Sequence, residues 1–499
     1  MNATRTKTLK ARRLWTVLSI LLISLLLRWI LILRGGQYYI ADETRYEVSR
    51  DAARLLVQGQ LGEALRQFTI SPEHLGFKLV GVIPGLIEQI AGPSLVLPAM
   101  FFSLFSVLNL YLIYLIAEHN QASSPEPLFA LILAACAHSL LYYARHLFPY
   151  DLSMSFGLLS LYIALTGKQD TKSSMLCGSM GFLCFITYNG YWTLAIFVML
   201  ANILVNSKNH VELLQRSIVT GIGFLAPLVV LLLAMLVAGT NMISAYRLFA
   251  TSITQGTYEE GWSLPFEYFW HAEHTGILIL GVFSLLAIIR RPKEREQEIL
   301  LWSTGLLFIY ACLVIPSVFM HDFVVYGRLA RQILPFLILL SAAGLSQMEQ
   351  LSISRLNIPL LVLVLALVQA AWNFGESYQL SYPRQFSEAL QAQFRGFEFS
   401  SKRLAYGAPT ICQNNGYVIE NTKYFLSVPE TTQPVKGGIL LDLSHPVNFL
   451  PYQYEGYTPE QRQEFRDRQL RMRFYRVEEE FISIYGKEIK NCAIPGDEK

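Results

Sequence analysis

The sequence predicts a mostly α protein: a polytopic transmembrane helical core of about eleven spans, followed by a small extracytoplasmic α/β domain. Three observations lead there. Of 499 residues, 53% are hydrophobic and only 15% charged, against about 25% charged in an ordinary soluble domain. The apolar residues gather into runs of bilayer-spanning length. Beyond residue 373 charged residues return and the apolar runs shrink to strand length. This composition excludes a disordered chain and argues against a soluble enzyme. The formal net charge of +3 is too small to point to nucleic acid as a partner.

Arg5, Lys7, Lys10, Arg12 and Arg13 precede an apolar run from Leu14 to Leu33. That run is about 20 residues long, enough to span, and no small-residue cleavage site follows. It reads as a first transmembrane helix with a cytoplasmic basic start, and Arg28 and Arg34 near its outer end are expected to snorkel. Further apolar runs cover 94–117, 128–144, 150–167, 174–188, 190–206, 217–238, 273–289, 298–317, 331–347 and 356–373. The break at Tyr188-Asn189-Gly190 reads as a kink or a loop. The segment 77–91 is placed as a helix on the outer surface, because a span there would invert every later loop.

Loop charges set the orientation. Lys168, Lys172, Lys208, Arg216, Arg290, Arg291, Lys293 and Arg295 all fall in inner loops if the N-terminus is inside. The outer segments are then 35–93, 144–150, 239–272, 318–330 and everything after about 374. Two units follow: a core over 1–373 with an outer catalytic loop at 35–93, and an outer α/β domain over 374–499. In the latter, Tyr417–Leu426 and Gly438–Leu443 have strand character, while Pro383–Phe394 and Pro459–Arg468 have helical patterns. Cys136, Cys177, Cys184 and Cys312 lie in apolar runs as small hydrophobes. Cys412 and Cys492 could pair if their domain is outside; spacing alone leaves this open.

The residues able to do chemistry begin in the first outer loop, Ala41-Asp42-Glu43-Thr44-Arg45-Tyr46-Glu47-Val48-Ser49-Arg50. Adjacent carboxylates stand just beyond the first span. One reading makes them the acidic start of a helix capped by Asp42 or Thr44. The other makes one of them a general base facing a hydroxyl at the membrane surface.

This string resembles the first outer loop of the bacterial aminoarabinose transferases that modify lipid A. More broadly it is similar to the membrane glycosyltransferases of the protein O-mannosyltransferase superfamily, whose fold is called GT-C. The matching positions are Asp42, Glu43, Thr44, Arg45, Tyr46, Ser49 and Arg50. The layout of one helix, a long outer loop, a multi-span core and an outer C-terminal domain also resembles that family. The resemblance implies attack of an acceptor hydroxyl on the anomeric carbon of a sugar carried on polyprenyl phosphate. Configuration inverts and polyprenyl phosphate leaves. It further implies Asp42 as general base, Glu43 as a carboxylate orienting an Arg or the acceptor, and Arg45 and Tyr46 as supporting residues.

Such chemistry needs a cationic clamp for the leaving phosphate near membrane level. Lys78 opens the surface helix where the family carries a conserved Lys. The family's neighbouring carboxylate is absent from Phe77-Lys78-Leu79; Glu73-His74 could replace it, with a solvated loop pair as the plainer reading. Arg328 and Arg331 precede Leu334-Pro335 in a segment similar to the family's basic motif, and can clasp phosphate or snorkel. Arg145 joins this donor-phosphate set. Asp151, where the family also places an Asp, can orient the acceptor, pair with Arg145 or cap a helix. His138 and His146 read as structural. His271 and His274, in a loop that also holds Tyr258, Trp262, Tyr268, Trp270 and Glu273, could share a helix face suited to a metal, but an aromatic belt at the membrane interface is the plainer reading. Tyr452, Tyr454 and Tyr457 invite a sugar-stacking role.

The sequence therefore points to an inverting polyprenyl-phosphate-sugar glycosyltransferase of the plasma (inner) membrane with its active site on the extracytoplasmic side. Its partners are the lipid-linked donor, a lipid, glycan or protein acceptor, and membrane lipid. No cofactor is required; a divalent cation is allowed and no metal ligand is assigned. The alternative is a transporter or flippase of a lipid-linked sugar, which should carry ionisable groups at mid-helix.

Overall fold

The computed structural model describes residues 2–34, 43, 45–70, 73–92, 94, 96–119, 124–167, 170–237, 239, 243, 247, 263–320, 327–350, 357–379, 399–400, 430–431, 439–442, 473–476 and 482–483. The helices run in the order α1 (Asn2–Arg34), α2 (Arg45–Val57), α3 (Leu61–Ile70), α4 (Leu75–Ala91), α5 (Val96–Glu118), α6 (Glu126–Cys136), α7 (His138–Tyr142) and α8 (Tyr150–Thr166). There follow α9 (Thr171–Thr187), α10 (Trp192–Asn206), α11 (His210–Val237), α12 (Leu264–Glu273), α13 (Gly276–Arg290) and α14 (Glu296–Met320). The last are α15 (Gly327–Ala330), α16 (Leu334–Gln350) and α17 (Ile358–Gln379).

Among the described residues, six helices are long and apolar enough to cross a membrane, or seven if the bent pair Glu126–Cys136 and His138–Arg145 makes one span. The expected count of about eleven is too high. Tyr150–Thr166, Asn189–Val205 and Gly276–Arg290 are apolar but shorter than 18 residues. Hydropathy along the chain registers such segments as runs without registering that the helices stop early. Leu22, Val229, Val230, Leu233, Leu285 and Val368 point away from the protein. A belt of such side chains is what lipid, and not water, tolerates. The protein is thus a helical multi-pass membrane protein.

The core forms where α6, α8, α10 and α16 meet, through Leu131, Met154, Leu158, Leu194, Val198, Phe336 and Leu340. The segment Arg328–Met348 is almost wholly buried and forms the central post of the bundle. At one end of the bundle Arg13 meets Glu118 at 3.6 Å, and Arg295 clasps Glu126 and also bonds Glu298 at 3.0 Å. Arg295, read as part of the inner-loop charge cluster, is paired with both carboxylates. Arg28 also departs from expectation. It does not snorkel but is buried, donating to Ser106 Oγ (2.9 Å), the Ser24 carbonyl (3.0 Å) and the Leu140 carbonyl (3.1 Å).

The bent pair has a specific cause. Ala137 is extended (φ −66°, ψ 114°), which ends α6 and restarts the chain as α7 at 63°. The freed backbone donors at the new N-terminus would be costly in an apolar interior. Glu273 satisfies them, accepting from His138 N–H (2.7 Å), Ser139 N–H (2.8 Å) and Ser139 Oγ (2.5 Å). Glu273, to which the sequence assigns no role of its own, is a buried cap.

The segment 77–91 is helical, as expected, and falls within α4, which packs on α2. Its buried face mixes Leu75 and Phe77 with Lys78, Gly81, Pro84, Gly85 and Glu88, while Leu79, Ile83, Ile87 and Ile90 face outward. Within residues 374–499 the described strands are β1 (Phe399–Ser400), β2 (Glu430–Thr431), β3 (Ile439–Asp442), β4 (Arg473–Arg476) and β5 (Ile482–Ser483). They form a sheet of order β2-β1-β3-β4-β5, with β1 parallel to β2 and β3, and the β3–β4 and β4–β5 pairs antiparallel. The parallel pairs require crossover connections. The strand expected at Gly438–Leu443 is β3. Tyr417–Leu426, both helical patterns of this region, and Cys412 and Cys492 lie outside the described residues.

Glycines let α9 and α11 approach closely. A Cβ on Gly178 would collide with the Thr220 carbonyl oxygen, and one on Gly223 with the Met175 carbonyl oxygen. Small residues at helix contacts are how membrane helices gain packing energy. Gly178→Val should cost at least about 1–3 kcal/mol, the usual penalty of overpacking. Thermal unfolding of the purified variant in detergent should show a lowered midpoint; an unchanged midpoint would mean the two helices separate freely.

Candidate active site

Asp42, expected as the base, lies outside the described residues, as does Thr44. Its neighbour Glu43 is fully buried. Glu43 Oε1 accepts the Leu147 N–H at 2.8 Å, and Oε2 lies 3.1 Å from His146 Nδ1. His146 Nε2 lies 3.1 Å from Arg145 Nε. A guanidinium can only donate, so Nε2 accepts and the ring proton sits on Nδ1, directed at Glu43. Burial lowers the His146 pKa from its ordinary value even though Glu43 opposes the shift. The ring is a neutral strut between carboxylate and guanidinium. Sequence reading made His146 structural and missed that it joins two site candidates.

Arg145 is not the phosphate ligand expected. Its Nη1 donates to the Ser377 carbonyl at 3.0 Å and its Nη2 to Tyr142 Oη at 2.7 Å, besides the Nε contact with His146. The guanidinium lies 4.4 Å from the Tyr142 ring centre. All three nitrogens are engaged, so Arg145 ties the α7–α8 turn to α17. Nor does it pair with Asp151.

Asp151 pairs instead with Arg331, whose Nη2 donates to Oδ1 at 2.7 Å. Arg331 is fully buried, which removes the snorkelling alternative. Its guanidinium lies 4.6 Å from the Tyr143 ring centre and 5.7 Å from that of Tyr150. Its Nε and Nη1 have no hydrogen-bond partner among the described residues. Buried guanidinium donors without acceptors are costly, and an oxyanion or ordered water would satisfy them. Arg328 is partly exposed and donates from Nη1 to Tyr150 Oη at 3.0 Å. Tyr150, absent from the sequence expectations, therefore serves both arginines, one at its hydroxyl and one at its face.

Lys78 is buried at the start of α4, with Nζ 3.4 Å from Glu73 Oε1. Arg45 Nε lies 3.7 Å from the same oxygen. Glu73 thus supplies the carboxylate that the sequence lacks beside Lys78, and His74 is buried, not solvated. Burial pulls the Lys78 pKa down to about 8, against the attraction of Glu73. Tyr46 is buried and donates to Glu88 Oε2 at 3.0 Å; Arg50 Nε reaches the same oxygen at 2.9 Å. These contacts bind α2 to α4, so Tyr46 supports the site from behind. Glu88 carried no sequence signal because its partners are far away in the chain.

Among the described residues here, Arg28, Arg45, Lys78, Arg145, Arg328 and Arg331 outnumber Glu43, Glu73 and Asp151. Aromatic rings link the two halves of the cluster. Tyr150 and Tyr188 have ring centres 4.8 Å apart, and Tyr188 and His74 5.0 Å apart. No group of three or more His, Cys, Asp or Glu side chains able to hold a metal ion forms among the described residues. The His271 side chain, Tyr258, Trp262, Tyr452, Tyr454 and Tyr457 lie outside them.

No family model matches the sequence, and no curated protein matches it. Among solved structures, the oligosaccharyltransferase of Archaeoglobus fulgidus, crystallised in complex with zinc and sulfate, matches with a TM-score of 0.45 and 12% identity. The match covers 82% of this chain and 62% of that one, so this chain spans less than two thirds of that protein. Likeness of this degree assigns neither activity nor substrate.

Replacing Glu43 by Ala should leave the Leu147 N–H and the His146 Nδ1–H buried without acceptors. Hydrogen bonds to a charged group are worth about 1.5–3 kcal/mol, so a clear drop in the thermal midpoint is expected. Glu43→Gln, which keeps one acceptor oxygen, should fall between. Equal midpoints for Ala, Gln and wild type would show that the anchor does not hold the fold.

Proposed function

We propose that the chain is an integral membrane inverting glycosyltransferase, moving a sugar from a polyprenyl-phosphate carrier to a hydroxyl of a lipid, glycan or protein on the outer face of the plasma membrane. The observation that carries this reading is the gathering of Arg45 and Lys78 on Glu73, and of Arg328 and Arg331 on Tyr150 and Asp151, the two pairs being joined by the rings of Tyr150, Tyr188 and His74. Ionisable groups in membrane proteins are expensive and mark function. A surplus of cations fits a ligand that brings negative charge, and a phosphoester bearing a greasy tail is such a ligand.

In this reading Asp42 removes the proton of the acceptor hydroxyl as it attacks the anomeric carbon. The bond from that carbon to the phosphate oxygen breaks, and its electron pair leaves on the phosphate. Arg331, with its uncommitted donors, and Arg328 and Lys78, with their charge, offset the negative charge that grows there. Asp151 orients Arg331. Glu43 and Arg145 hold the loop in place and do not touch substrate. Arg45 positions Glu73 and Lys78, and Tyr46 fixes α2 on α4.

Asp42→Asn keeps size and capping oxygen but removes the proton acceptor. Transfer from a synthetic polyprenyl-phosphate sugar should fall by about two to four orders of magnitude, with donor binding unchanged. A flippase needs no base, so wild-type behaviour of this variant would favour the transport reading.

A second test uses pH. Lys78 is charged below about 8 and neutral above it. Since kcat/KM follows the free enzyme, it should decline as pH rises through about 8. In Lys78→Arg the charge persists at every accessible pH, and the alkaline decline should vanish. The same decline in both proteins would assign it to another group.

A further inference from the structure

His74 sits between the first loop and α4 in conditions that a solvated loop residue would not show. It is 6% exposed. Its backbone is left-handed, φ 56° and ψ 36°, which few residues other than glycine adopt. The conformation brings no local return from the side chain, which makes no capping hydrogen bond to α4. The ring rests 5.0 Å from the Tyr188 ring, and its buried Nδ1 has no hydrogen-bond partner among the described residues. Buried polar atoms are rarely left so without a reason.

The positive charges of Arg45 from α2, Lys78 from α4 and Arg328 from α15 all disfavour the charged form of the ring. Glu73, the preceding residue, is taken up by Arg45 and Lys78. Among the described residues Tyr188 also flanks the ring, and the side-chain Oδ1 of Asn189 accepts the His74 N–H at 3.5 Å. Burial first and then these cations hold the ring's pKa well below its ordinary value and the ring neutral.

We propose that His74 is a further ligand of the phosphate group, and that binding of a phosphomonoester dianion at this site is coupled to uptake of a proton by its ring. This rests on the donor site proposed above. A dianion among Arg45, Lys78 and Arg328 cancels the repulsion that keeps an imidazolium out. It also gives Nδ1–H an acceptor. No covalent bond to His74 forms or breaks: the proton comes from solvent with the phosphate and returns when the phosphate leaves. During transfer the carbon–oxygen bond breaks toward phosphate, and the imidazolium offsets part of the charge that arrives.

The test is calorimetry on the purified full chain in detergent at pH 6.5, in buffers of different ionisation enthalpy, with a short isoprenyl monophosphate and, separately, inorganic phosphate. Asparagine tolerates the left-handed backbone and cannot be protonated, so His74→Asn is the variant to compare. Wild type should take up close to one proton more than His74→Asn on binding the isoprenyl ester. It should also bind roughly tenfold or more tightly, the scale of one hydrogen bond to a charged group. Inorganic phosphate should show the same proton difference at much weaker affinity. Equal proton counts and equal affinities would overturn the role of His74 while leaving the phosphate site intact. Isoprenyl phosphate that fails to bind wild type would overturn the donor site and this proposal together. Inorganic phosphate that binds as tightly as the ester would overturn the lipid as its source. The difference between the two proteins is the readout because the ligand, partly monoprotonated at pH 6.5 with a second phosphate pKa of about 6, releases its own protons on binding as the dianion, equally in both.

Discussion

A carboxylate survives in an apolar interior only where donors surround it, and Glu43 meets that condition by capturing the Leu147 N–H and the His146 ring. The His146 ring in turn captures Arg145, which reaches the Ser377 carbonyl of α17. One line of hydrogen bonds therefore joins the first loop, the turn between α7 and α8, and the last helix of the core. Much of the site hangs from it. The turn delivers Tyr150 and Asp151 to the arginines of the 328–331 segment. The loop leads directly into α2 and so to the face that buries Lys78 and His74. Loss of the Glu43 carboxylate would free the loop and leave the two halves of the cation cluster without a fixed separation.

Among the described residues the cluster holds more cations than carboxylates. Asp151 answers only one donor of Arg331, and Glu73 is shared by Arg45 and Lys78. Buried charge of one sign is retained in a membrane protein where something binds to it. The rings of Tyr143 and Tyr150 line Arg328 and Arg331 with faces that attract positive charge without neutralising it. Such a lining leaves the positive potential available to an incoming anion. The reaction proposed for the site would use that potential in proportion to the charge gained by the leaving phosphate.

Part of this was legible in the sequence. Asp42-Glu43 stands out because adjacent carboxylates seldom follow an apolar span, and Lys78, Arg328 and Arg331 stand out because cations are depleted from outer segments. The helical, membrane-spanning character followed from composition and run length. Partner choice was not legible. Asp151 lies as near in the chain to Arg145 as a helix turn or two, yet it meets Arg331 across 180 residues. Arg145 looked like a phosphate ligand because nothing local shows that Ser377 and Tyr142 have already claimed it. His74 looked solvated because its neighbours in the chain are polar, whereas in space it lies against Tyr188 and within the field of three cations. The span count failed for a related reason: α8, α10 and α13 are apolar but end early.

Transfer and transport differ in what becomes of the bond between sugar and phosphate, and that bond gives the most direct test of the account. Purified wild-type protein in liposomes, given a synthetic polyprenyl-phosphate sugar labelled in both sugar and phosphate and a mixture of lipid acceptors, should release polyprenyl phosphate and form a glycoside of inverted anomeric configuration in equal amounts. Movement of intact donor between the leaflets, with both labels still joined and no glycoside formed, would contradict it.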